Sequence, residues 1–395
     1  MAGRTPGQAA QAVAGWRQPL STAWQRETSG VILSSPVQVR STEAEVLAAP
    51  ARRRTIPDGQ AGARAARVAS LTVCQHRQAG PTTLRDTWMS TEPSGGFSHE
   101  AFLYSDMTEF LAGIQSFLAP AIAAGDPVLV LLRTPEIDAL TGALDVPAQT
   151  VTFTDITDPG GNPARLIGVW RRFADAHTGS QLWGIAEAVY PGRSPAELAE
   201  CELYEALLNV AFDATTPLRL RCPYNLATLP ASVIEQAERT HPFLLRDDQR
   251  QASGQFQPIN PAEPYTRALP AAPADAACLP FACGELGRLR AFVAGQAQQA
   301  GLAQQAASSL VAAINEIATN SLQHGGGRGE LRVWTDGAWL VCAVSDSGYL
   351  TAPLAGKLPP AANDGAGLWL ANQLTDLVQI HSTPDGTEIR VHQQR

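Results

Sequence analysis

Hydrophobic and polar positions along the chain are ordered from Phe97 onward and show no sustained period before it. Asp106–Ala124 (DMTEFLAGIQSFLAPAIAA) predicts a helix, with Asp106 as N-cap, Glu109 at the capping-box position and Gly125 as its stop. Pro127–Leu132 (PVLVLL) is a short, wholly apolar run of the kind buried on both faces of a parallel sheet. Further strands are expected at Val151–Thr154, Gln181–Val189 and Leu218–Cys222, and helices at Pro163–Ala176 and Pro195–Phe212. Strands alternating with helices predict a doubly wound, RecA-like α/β domain over 97–250. Residues 251–277 are a Pro/Ala-rich linker. A second α/β domain, 278–395, is predicted from helices at Gly284–Gln299, Ala303–His324 and Gly367–Leu374, strands at Gly329–Thr335 and Trp339–Ser345, and a hairpin near Pro384–Gly386.

Charge separates the first 88 residues from the rest. The chain has 395 residues and a net charge of -8, yet residues 1–88 carry eleven arginines against five acids. That stretch is rich in Ala, Gln, Pro and Ser, which predicts a disordered N-terminal extension; a transit peptide or nucleic-acid arm is the less favoured reading. The acidic remainder argues against direct nucleic-acid binding. Lys357 is the single lysine, so P-loop and Schiff-base chemistries have almost no residue to use. Six cysteines include no CxxC pair, which disfavours zinc fingers and fits a reduced compartment. With no signal peptide and no apolar run near the roughly 18 residues of a membrane span, a cytoplasmic protein without a membrane partner is expected.

The 303–324 helix carries a polar stripe, Glu316, Asn320 and His324, at i, i+4 and i+8, while Leu310, Val311, Ile314, Ile317, Ala318, Ser321 and Leu322 form its apolar face. Downstream, Val341–Gly348 (VCAVSDSG) ends an apolar strand on a carboxylate, and Asp364–Leu370 (DGAGLWL) opens a helix whose free amides suit a phosphate. The ordered set EIATNSLQHG, DSG, GAGL and GTEIRVH resembles the N, G1 and G2 boxes of the GHKL ATPases, with their Bergerat-type α/β sandwich. The region resembles most the anti-sigma-factor serine kinases.

The resemblance implies ATP and Mg²⁺ as cofactors. It implies Asn320 on the metal, Glu316 as the catalytic base, Asp346 accepting from the adenine amino group and Gly348 beneath the base. Gly365 and Gly367 would lie at the phosphates with Leu368 beside them, and Thr387 would support the adenine through water. His324 follows the N box as in such kinases; a histidine interacting with the helix C-terminus is the plainer account. Between Gly348 and Gly365 the lid is short and holds three prolines, and its Lys357 is expected to be solvated more readily than to touch phosphate.

In the first domain, HEAFLYSD, AAGDPVLVLL, IAEAVYPGR and RCPYNLATLP resemble the MEDS sensory domain, which implies a small organic ligand. The sensory candidates are His99, Tyr104, Glu187 and Tyr224. Cys222 reads as core, because no second thiol or histidine sits at ligand spacing. Together these features predict a signalling regulator whose sensory domain controls an ATP-binding domain acting on a sigma factor or an anti-anti-sigma protein, in a chain compatible with a homodimer. The expected activity is serine/threonine phosphotransfer; the alternative is an ATP-binding scaffold without it. A two-component histidine kinase is disfavoured, since His177 and His241 lack long paired helices to present them.

Overall fold

Strand β1 (Ser98–Tyr104) opens the patterned part of the chain, and its alternate residues face two different cores. In the computed structural model, the described residues are 96–144, 151–360 and 366–395; the predicted extension 1–88 and the candidate Gly365 lie outside them. Elements α1 (Met107–Ala124), β2 (Val128–Leu132), α2 (Thr134–Ala143), β3 (Val151–Asp155) and the short α3 (Thr157–Gly160) follow β1. A 3₁₀ turn at Pro163–Arg165 then leads into α4 (Leu166–Ala176), β4 (Leu182–Ala186), α5 (Pro195–Ala211), β5 (Leu218–Asn225), α6 (Ala231–Thr240), β6 (Phe243–Arg246) and β7 (Gln249–Ala252). The sheet order is β3-β2-β4-β5-β1-β6-β7, parallel except for β7.

Both faces of this sheet are covered. Phe102 and Tyr104 of β1 pack with Phe110, Ile114 and Leu118 of α1, while Ala101 and Leu103 face Trp170 of α4 and Leu207 of α5. That two-sided burial is why β2 reads VLVLL without a polar residue. Helix α1 starts as expected: Asp106 accepts from the Glu109 amide at 2.9 Å, a cap worth about 1 kcal/mol. Gly125 ends it at φ 72°, a left-handed value suited to glycine. By length and composition α1 is the one helix among the described residues that could cross a membrane; here its apolar stripe covers the sheet. Helix α5 carries a full capping box, Ser194 with Glu197, and Pro195 in its first turn.

The second sheet, β11-β12-β10-β9-β8, is antiparallel throughout. Its strands are β8 (Ala277–Ala282), β9 (Arg328–Asp336), β10 (Trp339–Asp346), β11 (Leu377–Thr383) and β12 (Gly386–Gln394). Helices α7 (Leu286–Gln299), α8 (Gln304–His324) and α9 (Gly367–Leu374) pack on one face, with Leu289, Val293, Leu310, Ile314, Ile317 and Ala371 in its core. The described residues belong to one compact unit.

Residues 253–276, inside the stretch expected to be a linker, have no strand or helix but are tied to the body. Tyr265 is buried and donates to the Pro353 carbonyl at 2.8 Å, Arg390 donates to the Pro270 carbonyl, and Arg267 pairs with Glu202. A Pro/Ala composition signals missing regular structure, and such a segment can still pack.

Candidate functional site

Helix α8 turns Glu316 and Asn320 to the same side, half-buried, and leaves His324 exposed at its end. The start of α9 presses against this stripe. A Cβ added to Gly367 would stand 3.1 Å from Asn320 Nδ2 and 3.4 Å from a Glu316 carboxylate oxygen, so a side chain there would fill the space between helix start and stripe. Asn320 makes no side-chain hydrogen bond among the described residues, which leaves its amide oxygen available. Leu368, the next residue, packs its side chain into the core, so that only its backbone belongs to the helix start.

Asp346, the last residue of β10, is held from two sides. Ser321 donates to its Oδ2 at 2.5 Å and the Gly348 amide donates to its Oδ1 at 2.7 Å. A Cβ on Gly348 would lie 2.9 Å from that Oδ1 and 3.1 Å from the His324 carbonyl, tighter than an unshifted side chain tolerates. Thr387 donates to the Gly348 carbonyl at 2.8 Å and accepts from Ser382 at 2.6 Å; Ser382 in turn accepts from the Leu350 amide at 2.8 Å. This relay fixes the chain just after Asp346.

Ser321 and Ser382 were not among the sequence candidates. Ser321 falls on the apolar face of α8, and that burial is what brings its hydroxyl to Asp346. A serine on an otherwise apolar helix face was the available signal.

Lys357 corrects the expectation of a solvated lid. It is 3% exposed and sits in the field of Glu200 on α5. Burial pushes the lysine down and pushes the Glu200 carboxyl up to about 7, each only partly offset by the other's charge. Leu354 and Leu358, on either side, pack against the core of the first sheet. The lone lysine is therefore not the solvated side chain that was expected, because it is turned inward.

The four sensory candidates divide into two clusters. Tyr104 ends β1 and donates to Glu187 Oε1 at 3.1 Å, at the C-terminal edge of the sheet where open α/β folds bind ligands. Arg133 Nε reaches Glu187 Oε2 at 3.4 Å and also pairs with Glu136. Burial leads the shift of Glu187 to about 7; the Arg133 charge opposes it and the Glu136 charge adds to it. Arg133 and Glu136 were missed, because an Arg–Glu pair three residues apart reads as an ordinary helix-start contact.

His99 and Tyr224 belong elsewhere. His99 of β1, Glu205 of α5, Cys222 of β5 and His241 after α6 converge, each no more than 1% exposed, and the Tyr224 ring stands edge-on to His241 at 5.5 Å. Cys222 thus does have imidazole neighbours. The four residues come from four separate parts of the chain, so no spacing along it could disclose them.

The family comparisons agree with this division. Residues 98–242 match the model of the MEDS domain, described as the methanogen/methylotroph, DcmR sensory domain, and residues 279–392 match that of the histidine kinase-like ATPase domain. Both resemblances hold. The MEDS region is the parallel sheet with its helices, and the ATPase region is the antiparallel sheet with α7, α8 and α9. No curated protein matches the chain. A structure of the RsbU and RsbW domains of a Mycobacterium tuberculosis protein aligns at 17% identity and a TM-score of 0.24, over 30% of this chain and 32% of that one. The chain thus spans about a third of that structure's length. A region matching a sensory domain followed by one matching an ATPase domain supports a regulatory ATP-binding signalling protein.

Proposed function

We propose that the ATPase region binds ATP with Mg²⁺ and phosphorylates a serine or threonine of an anti-anti-sigma partner, under control of the MEDS region. The observation that carries the reading is the abutment of the α9 start on the Glu316–Asn320 stripe, with Asp346 pinned beyond it. The residues fit the nucleotide. Glycine stands at both close approaches, the Asp346 carboxylate keeps lone pairs beyond its two bonds, and Asn320 offers a neutral oxygen of the sort Mg²⁺ accepts.

ATP supplies the phosphoryl group. Asn320 would hold the metal, the α9 amides would face phosphate charge, and Asp346 would orient the base through its amino group. Glu316 would take the proton of the attacking hydroxyl on a carboxylate oxygen.

Control from the MEDS region has a physical route. Arg165, in the 3₁₀ turn before α4, donates to the Asn372 and Thr375 carbonyls at 2.7 Å each, at the C-terminal end of α9. Asn162 donates to the Asn372 side chain at 3.1 Å, and Asn372 donates to the Gly356 carbonyl of the lid at 3.0 Å. One end of α9 faces the phosphate site and the other is gripped by the sensory region. A shift of the 3₁₀ turn would therefore be felt at the stripe.

A second reading, an ATP-responsive scaffold, draws support from Lys357, since the only lysine of the chain is buried in the field of Glu200 on α5. Titration of the full chain with ATP, with and without Mg²⁺, tests the site: Asn320→Ala should abolish the Mg²⁺-dependent gain in affinity while the chain stays folded. Equal gain in the variant would remove the N-box assignment. Transfer of labelled γ-phosphate to candidate anti-anti-sigma proteins separates kinase from scaffold, because the scaffold binds ATP and labels nothing.

A further inference from the structure

We infer that His99, Glu205, Cys222 and His241 form a structural site for a tetrahedral divalent ion of the zinc type, inside the MEDS region and independent of the nucleotide site. The four donor atoms lie within 4.8 Å of one another. His99 Nε2 is 3.1 Å and His241 Nε2 is 3.5 Å from Glu205 Oε2; Cys222 Sγ is 3.4 Å from that oxygen and 3.5 Å from His99 Nε2. Metal bonds of about 2.0–2.3 Å give tetrahedron edges of roughly 3.3–3.7 Å, close to these separations.

The second observation is the hydrogen-bond count. His99 Nδ1 meets Asn209 Oδ1 at 3.1 Å, and the Asn209 amide nitrogen donates to the Thr240 carbonyl at 2.9 Å, which fixes Oδ1 as an acceptor. His241 Nδ1 meets the Ala237 carbonyl at 2.9 Å. Both rings therefore donate through Nδ1, and each neutral ring turns the lone pair of Nε2 inward, the arrangement second-shell oxygens impose on metal-binding histidines.

Two lone pairs, a carboxylate and a thiol meet with a single thiol hydrogen to share. Glu205 Oε1 and His241 Nε2 are left buried without a hydrogen-bond partner. Orphaned buried groups are costly, and a cation among the four removes that cost. The charges also close. A divalent ion with one carboxylate and one thiolate is neutral, as a site excluded from water requires. On binding, Cys222 gives up its thiol proton to solvent as the sulfur–metal bond forms.

With four protein donors and no exposed face, the site is closed and takes no substrate. It clamps β1, α5, β5 and the end of α6 together, and Asn209 and the Ala237 carbonyl position the rings.

Elemental analysis of the full chain, purified without chelator and also refolded with Zn²⁺, should find about one zinc per chain. The Co²⁺-refolded protein should show tetrahedral ligand-field bands with a thiolate-to-cobalt charge-transfer band. Cys222→Ser should lose that band, and Asn209→Ala should weaken retention about 10- to 100-fold. X-ray absorption at the zinc edge of the unmodified protein should give one sulfur and a remainder of nitrogen and oxygen, a readout that needs no variant to fold. Less than a tenth of an equivalent in both preparations, or a sulfur-free shell, overturns the proposal. The cluster would then be a buried imidazolium–carboxylate pair.

Discussion

The two regions handle their polar groups in opposite ways. In the ATPase region Glu316, Asn320 and Asp346 are half-buried and reached from one side, with glycines leaving room beside them. In the MEDS region Glu187, Glu205, His99 and His241 are at most 1% exposed, and their partners are protein atoms. If the half-buried cluster is the proposed nucleotide site, partial contact of its carboxylates with water suits a ligand that must enter and leave. A sealed carboxylate instead shifts its proton equilibrium or gains a partner, because burial penalises its charge.

The sharpest way to break that contrast lies in the open site. Glu316→Gln should keep ATP binding and lower partner phosphorylation by about 10²–10⁴, the worth of general-base help. Asp346→Asn should lose binding first, by roughly ten- to a hundredfold, since the charged acceptor held by Ser321 and Gly348 is gone. Equilibrium binding and single-turnover transfer measured on both variants separate the two effects. If both bind and transfer like the unmodified chain, the site lies elsewhere.

The join between the regions ranks next. Arg165→Ala removes hydrogen bonds from a charged donor to the Asn372 carbonyl of α9 and the Thr375 carbonyl just after it, interactions typically worth about 1.5–3 kcal/mol each. Thermal unfolding should shift down, and ATP affinity should fall although Arg165 lies at the far end of α9. An unchanged affinity with lowered stability would reduce this contact to simple cohesion and cut the proposed route of control.

What could be read from sequence follows the same divide. The elements of the ATPase region emerge with ends close to their observed ones: α9 at Gly367–Leu374 as expected, α8 one residue shorter than Ala303–His324. Its candidate site residues sit in short local motifs, so spacing alone gathers them. The MEDS region shows the apolar strands equally well, but predicted strand 181–189 stops at Ala186, and α2, α6, β6 and β7 went unread. β8 was missed too, because Pro280 and its exposed alternate residues resemble the preceding linker. The parallel sheet builds its clusters from distant strands: Tyr104 meets Glu187, and His99 meets Glu205 and Cys222, only because β1 is inserted beside β5. Chain order carries no trace of that insertion. The burial of Lys357 is hidden for a related reason, since Glu200, whose charge acts on it, lies in the other region.

The smallest effect concerns the sealed Glu187 and has a definite sign. Its carboxyl is raised to about 7 in the folded chain, chiefly by burial, from an ordinary 4.5. Between those values the folded state holds a proton that the unfolded state has released, so stability falls as pH rises through that window. Below about pH 4.5 both states are protonated and the penalty is absent. Glu187→Gln keeps the shape and the hydrogen bond from Tyr104 without a charge to bury. The shift is already net of the Arg133 attraction, so the variant should gain about 1–3 kcal/mol over the unmodified protein at pH 8 and show no such gain near pH 4.5. Urea unfolding at the two pH values reads the difference directly. A variant destabilised equally at both would mean that the Arg133–Glu187 pairing at 3.4 Å outweighs the cost of burial, and that this edge of the sheet holds a settled ion pair rather than a carboxyl poised to be rearranged by a ligand.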